Sequence, residues 1–159
     1  MFGLFKTPEY FDPQLGRLVR SRGYWRGAVD LGPFGKVPLA LAGPRLSPDP
    51  AALAAAREVT VQFPALQAPT ERALFEHYHP YAEALAAGEL PPPIEPMPAL
   101  TSPAMVWPHV SLAFLSIGPI SGQLTVELGY ATAWDEEHTL GARFRQGALV
   151  ELCGSAVPL

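Results

Sequence analysis

Leu124-Thr125-Val126-Glu127-Leu128-Gly129-Tyr130-Ala131-Thr132-Ala133-Trp134 is the stretch whose pattern decides the fold. Its even positions are Leu124, Val126, Leu128, Tyr130, Thr132 and Trp134, with Thr125, Glu127 and Gly129 opposite. Alternation over this length reads as a strand with one face on a core, because successive side chains leave a pleated backbone on opposite sides. Downstream, Leu140, Ala142 and Phe144 share one face of a strand, and Ala148, Val150 and Leu152 share one face of the next. A three-residue loop, Arg145-Gln146-Gly147, would pair residue 144 with 148 and align the two apolar sets. A two-residue turn would pair 144 with 149 and set Glu151 opposite Ala142, among apolar neighbours. Upstream, Val110, Leu112 and Phe114 alternate ahead of the turn residues Gly118-Pro119 and Gly122. Strands near 110–117, 123–134, 139–145 and 148–153 are expected to pair consecutively as an antiparallel four-strand meander.

The N-terminal part is also β. Residues 14–21 and 24–31 read as strands joined around Ser21-Arg22-Gly23, with Trp25, Val29 and Leu31 on one face. A third strand carries Val37, Leu39 and Leu41, and Pro38, which cannot donate to a ladder, predicts an edge position. The period then changes. Ser47-Pro48-Asp49-Pro50 is a helix start, with Asp49 as N-cap and Pro50 at the first helical position. Leu53, Ala56, Val59, Phe63 and Leu66 recur at helical spacing, and Pro64 is expected to end or bend that helix. A second helix is expected from Thr70 to Gly88, with Leu74, Tyr78, Tyr81 and Leu85 as its buried stripe and a kink at Pro80. Residues 88–108 hold Pro91-Pro92-Pro93, Pro96, Pro98, Pro103 and Pro108, and read as an extended connection over the domain surface. The expected fold is a single α+β domain over residues 1–159. Its antiparallel sheet combines the N-terminal strands with the meander, and an αα-hairpin packs on one face. Trp25, Leu74, Tyr78, Phe114, Tyr130, Leu140 and Phe144 are its expected core.

Composition narrows the class. The 159 residues are 48% hydrophobic and 16% charged, with net charge −4, which fits a folded chain and excludes disorder. No run of five or more Lys or Arg supplies the basic stripe of a nucleic-acid binder. No window is long and apolar enough for a membrane span, and the segment from Met1 to Glu9 lacks a signal-peptide run. The lone Cys153 has apolar neighbours and reads as a buried, inert thiol in a reducing cytosol. A cytoplasmic protein is expected, with neither nucleic acid nor membrane as partner.

Chemistry concentrates at Asp135-Glu136-Glu137-His138, between two strands. Carboxylates with a histidine suit zinc, manganese or iron, but three or four converging ligands are needed, and only His77, His79 and His109 offer further nitrogens. The alternative is a hairpin tip in which Asp135 accepts backbone N–H bonds and His138 leans on Trp134 or its neighbours. His77 and His79 lie two apart, so on a helix they diverge by about 200° and cannot chelate one ion. His77 and Tyr81, four apart, share a face. Trp107-Pro108-His109 reads as an aromatic anchor where the proline-rich segment enters a strand. GxSxG, P-loop and GxGxxG signatures are missing, and no cofactor or metal is assigned.

Leu128-Gly129-Tyr130 followed by Trp134-Asp135-Glu136-Glu137-His138-Thr139-Leu140-Gly141 resembles a family of uncharacterised bacterial domains with a WDxEHTLG core. The order of Trp25-Arg26-Gly27, Phe75-Glu76-His77-Tyr78 and Val106-Trp107-Pro108 is similar too, so the resemblance spans nearly the whole chain. Some related small domains look like immunity proteins of bacterial toxin systems. Three functions follow. The first is a non-enzymatic binding domain, immunity-like in one version, in which Asp135, Glu136 and Glu137 steer a basic protein partner. The second is a small metal-dependent or acid/base hydrolase using Asp135, Glu137 and His138. The third is a structural module that associates with itself.

Overall fold

A computed structural model describes residues 6–159; the reading of the segment from Met1 to Glu9 falls in part on residues 1–5, outside the described residues. Eight strands form one sheet in chain order: β1 (Glu9–Asp12), β2 (Gly16–Ser21), β3 (Tyr24–Asp30), β4 (Lys36–Leu41), β5 (Val110–Ile120), β6 (Gln123–Thr132), β7 (Thr139–Arg145) and β8 (Ala148–Ala156). Every neighbouring pair is antiparallel except β4 and β5, which run parallel over Leu39–Leu41 and Leu115–Ile117. The four-strand meander over β5–β8 is present as expected. The short β1 was not foreseen, being only four residues before Pro13.

The connection from β4 to β5 contains α1 (Pro50–Ala86), one helix of 37 residues where an αα-hairpin was expected. Pro64, Pro69 and Pro80 all lie inside it. Each removes one backbone bond, but the buried positions Phe63, Leu66, Thr70, Leu74 and Tyr78 stay in phase across Pro64 and Pro69. Gln67 and Ala68 between them supply no residue suited to a tight turn, so the stripe runs on unbroken. The Thr70 hydroxyl donates to the Leu66 carbonyl at 2.8 Å, one residue beyond Pro69. Asp49 caps the start as read, its Oδ1 accepting from the Ala51 N–H at 3.1 Å. The helix lies against the sheet face that carries Trp25, Leu39, Leu128, Tyr130, Leu140 and Phe144, all buried.

Two details of register depart from expectation. The β7–β8 hairpin has a two-residue turn, Gln146-Gly147, both with positive φ, and pairs Phe144 with Leu149. A register shift between Arg143 and Phe144 then sets Glu151 opposite Arg143 instead of Ala142. The charge that argued against the short turn is therefore met by an ion pair of 2.8 Å. In β5 a shift between Leu112 and Phe114 moves Phe114 to the opposite face, where it lies over Gly129. Phe114 is buried, as expected of it, but outside the main core.

Pro38 also needs correction, because β4 is an interior strand. The parallel ladder to β5 begins at Leu39, so the proline lies beside a stretch where β5 offers no partner. Cys153 is half-buried and not enclosed: β8 is an edge strand, and Cys153 pairs with Gly141 on the face away from the helix. The segment after α1 runs without regular structure to a short 3₁₀ helix, Pro103–His109. It is pinned by Leu100, whose N–H donates to the Tyr78 hydroxyl at 3.1 Å. Trp107 anchors its end, packing on Phe34 and Tyr130 and donating its indole N–H to Glu71 of α1. No helix among the described residues is long and apolar enough to cross a membrane.

Candidate functional site

The turn between β6 and β7 is built on one carboxylate. Asp135 is 5% exposed, while Glu136, Glu137 and His138 are exposed. Its Oδ1 accepts the backbone N–H of His138 at 3.2 Å and lies 2.9 Å from His138 Nδ1. Its Oδ2 accepts the Tyr81 hydroxyl of α1 at 2.8 Å. The Asp135 N–H in turn donates to Thr132 Oγ1 at 3.2 Å. An ionised carboxylate only accepts, so the geometry puts the His138 proton on Nδ1. The aspartate thus fixes its own turn and ties it to the helix.

Trp134 makes a second tie. It packs edge-on against Tyr78, with ring centroids 5.5 Å apart, and donates its indole N–H to His77 Nδ1 at 3.1 Å. An indole nitrogen only donates, so Nδ1 of His77 is unprotonated and its proton resides on Nε2. Burial holds the His77 pKa below the usual imidazole value, against the pull of nearby Asp135. Burial is also the largest influence on Asp135, pushing its carboxyl up, but the bonds from Tyr81 and His138 outweigh it and leave the pKa below the ordinary value. Tyr81 is pushed up to about 12, by burial first and by its bond to Asp135 second. Each shift favours the protonation state that the hydrogen bonds require.

The sequence-derived site is therefore only partly assembled. Asp135 and His138 meet, whereas Glu136 and Glu137 face solvent. No group of three His, Cys, Asp or Glu side chains among the described residues could hold a metal ion. His77 joins the turn through Trp134, and its ring lies 5.2 Å from Tyr81, as the spacing of four implied. His79 is exposed, with its ring against Phe75. What sequence reasoning missed is that His77 and Tyr81 converge on the turn itself. Their shared helix face was visible, but the partner it faces was not.

A second buried carboxylate, not predicted from the sequence, ties another turn to α1. Asp12, fully buried, accepts the backbone N–H groups of Gln14 and Leu15 at 2.9 and 2.8 Å. It also pairs with the Arg57 guanidinium of α1. The bond from Arg57 is the main reason its pKa falls to about 2. Aspartate before proline at a turn was the available signal.

Charge is distributed unevenly along the chain. From Ala73 to Ala142 there are eight Asp or Glu and no Lys or Arg, while residues 6–45 hold seven Lys or Arg and three Asp or Glu. The strand pairing puts the Asp135 turn at one end of the sheet. The Arg22-Gly23 turn and the end of β4 lie at the other. The Asp135 turn forms an acidic cluster at its end, where Lys36 also lies, whereas Arg20, Arg22 and Arg45 make the other end basic.

Residues 18–157 match the family described as Domain of unknown function (DUF6985). No curated protein and no solved structure matches the chain.

Proposed function

We propose, for a chain that belongs to the DUF6985 family of domains of unknown function, a non-enzymatic role in binding a basic protein through its acidic end. One observation carries this reading: Asp135 is consumed inside the turn, so Glu136 and Glu137 stand on a tip tied to the helix at both Tyr81 and Trp134. A fixed tip loses less conformational entropy on binding than a loose loop, and uncompensated carboxylates speed encounter with a cationic surface. The likeness of the WDxEHTLG motif to small bacterial domains supports an immunity-like version of this role, in the cytoplasm, with a toxin as the basic partner. Affinity capture from the source cell at low salt, with the wild type beside the Glu136→Lys/Glu137→Lys variant, tests the reading. A basic protein retained by the first and lost from the second is expected. Identical captures by the two proteins, with melting temperatures unchanged, would refute it.

A second reading rests on the Asp135–His138 pair. Nδ1 of His138 is held by a buried carboxylate while its side chain is 44% exposed. A carboxylate that orients an imidazole in this way leaves Nε2 open as a general base. Glu137, exposed beside the pair, would take no part in the proton transfer. Hydrolysis of an activated ester that disappears in His138→Gln, with the fold intact, would favour this reading over the first.

A further inference from the structure

We propose that a cleft at the basic end of the sheet is a binding site for a phosphate oxyanion. The cleft has a volume of about 370 Å³ and is lined by Lys6, Thr7, Pro8, Arg20 and Arg45. Three chain segments build it. The Arg20 N–H donates to the Pro8 carbonyl at 3.0 Å, joining β2 to the lead-in of β1. The indole N–H of Trp25 donates to the Pro44 carbonyl at 2.9 Å and so fixes the backbone just before Arg45.

The cations of this cleft differ from those held in ion pairs. Arg17, Arg57 and Arg143 each have a carboxylate partner. Lys6, Arg20 and Arg45 have none among the described residues, and no Asp or Glu lines the cleft. Nη1 of Arg20 is buried without any hydrogen-bond partner among the described residues. A buried guanidinium N–H left unpaired is costly, so it marks a place where an acceptor oxygen is wanted. Two guanidinium groups, an ammonium and a hydroxyl suit a tetrahedral dianion better than a single carboxylate, because the planar forks match phosphate oxygens and three positive charges oppose its two negative ones. The site is independent of the acidic end.

Backbone amide NMR of the full chain, titrated with inorganic phosphate at constant ionic strength, tests the proposal. Saturable shifts confined to the amides of residues 6, 7, 20 and 45 are expected, with affinity at least tenfold weaker in Arg45→Ala. Arg45 is exposed, so that variant should keep the wild-type melting temperature. Parallel titrations with adenosine diphosphate and with vesicles containing phosphoinositide identify the source, since the tighter of these carries the natural phosphate. Linear shifts without saturation, or the same response to chloride, would overturn the proposal. So would unchanged affinity in Arg45→Ala.

Discussion

Asp12 and Asp135 perform one task with different partners. Each is a buried aspartate at a hairpin turn, each accepts N–H groups of its own turn, and each reaches α1. Asp12 meets a permanent cation, Arg57, whereas Asp135 meets the neutral Tyr81 and the imidazole of His138. A carboxylate bonded to guanidinium is held more firmly than one bonded to a phenol, since charge-assisted hydrogen bonds are roughly twice as strong as neutral ones. Tying a turn to a helix is therefore done rigidly at the β1–β2 turn and more softly at the turn that bears the acidic tip.

If that contrast holds, Asp12→Ala should be the costlier loss. It strands Arg57 and frees two N–H groups, for about 3 kcal/mol, read from the urea midpoint. A loss below about 1 kcal/mol would show that the ion pair is solvated and the contrast false. Acid should expose the same difference. Both folded pKa values lie below the ordinary carboxylate value, so both aspartates add stability that is complete above it and is lost as pH falls. For Asp12 the loss extends down to about pH 2. Urea midpoints measured between pH 5 and pH 2 should decline less in Asp12→Asn than in the wild type.

Asp135→Ala should cost less, about 1–2 kcal/mol, because the Trp134–His77 bond still ties the turn. If it costs more than Asp12→Ala, the softer tie is in fact the stronger one. The smallest effect concerns His77. Its pKa is lowered in the folded state, so stability is full above the ordinary imidazole value of about 6.5 and declines as pH falls below it. Protonating Nδ1 also breaks the bond from Trp134. A change in tryptophan emission in this range should vanish in His77→Gln; if it persists, another group titrates.

The two aspartates also differ in how legible they were. Asp135 was conspicuous because four titratable residues stand together, and its capping role followed from turn chemistry. Asp12 gave only a local turn signal; its partner lies 45 positions on, and one sequence does not disclose which helix face meets which hairpin. The meander was readable since alternation and short turns are local. The single helix was misread because each proline was weighed alone, without the apolar phase that runs across it. Phe114 was assigned to the wrong face since one inserted residue inverts everything before it, and a bulge leaves little trace in an apolar run.

The parallel junction between β4 and β5 sets the order in which this molecule can assemble. Strands β1–β4 and β5–β8 each close through turns of a few residues, so both halves are fast, local products. Joining them means bringing Leu39 to Leu115 across the whole intervening chain, at a loop-closure cost of roughly 4 kcal/mol beyond its constant part. Only three residue pairs meet along the seam to offset that cost. The order expected from this balance puts the junction last, after α1 has docked on both halves. Until then β4 and β5 present bare edges, and at high protein concentration the β5–β8 half of one molecule can seat on the β1–β4 half of another.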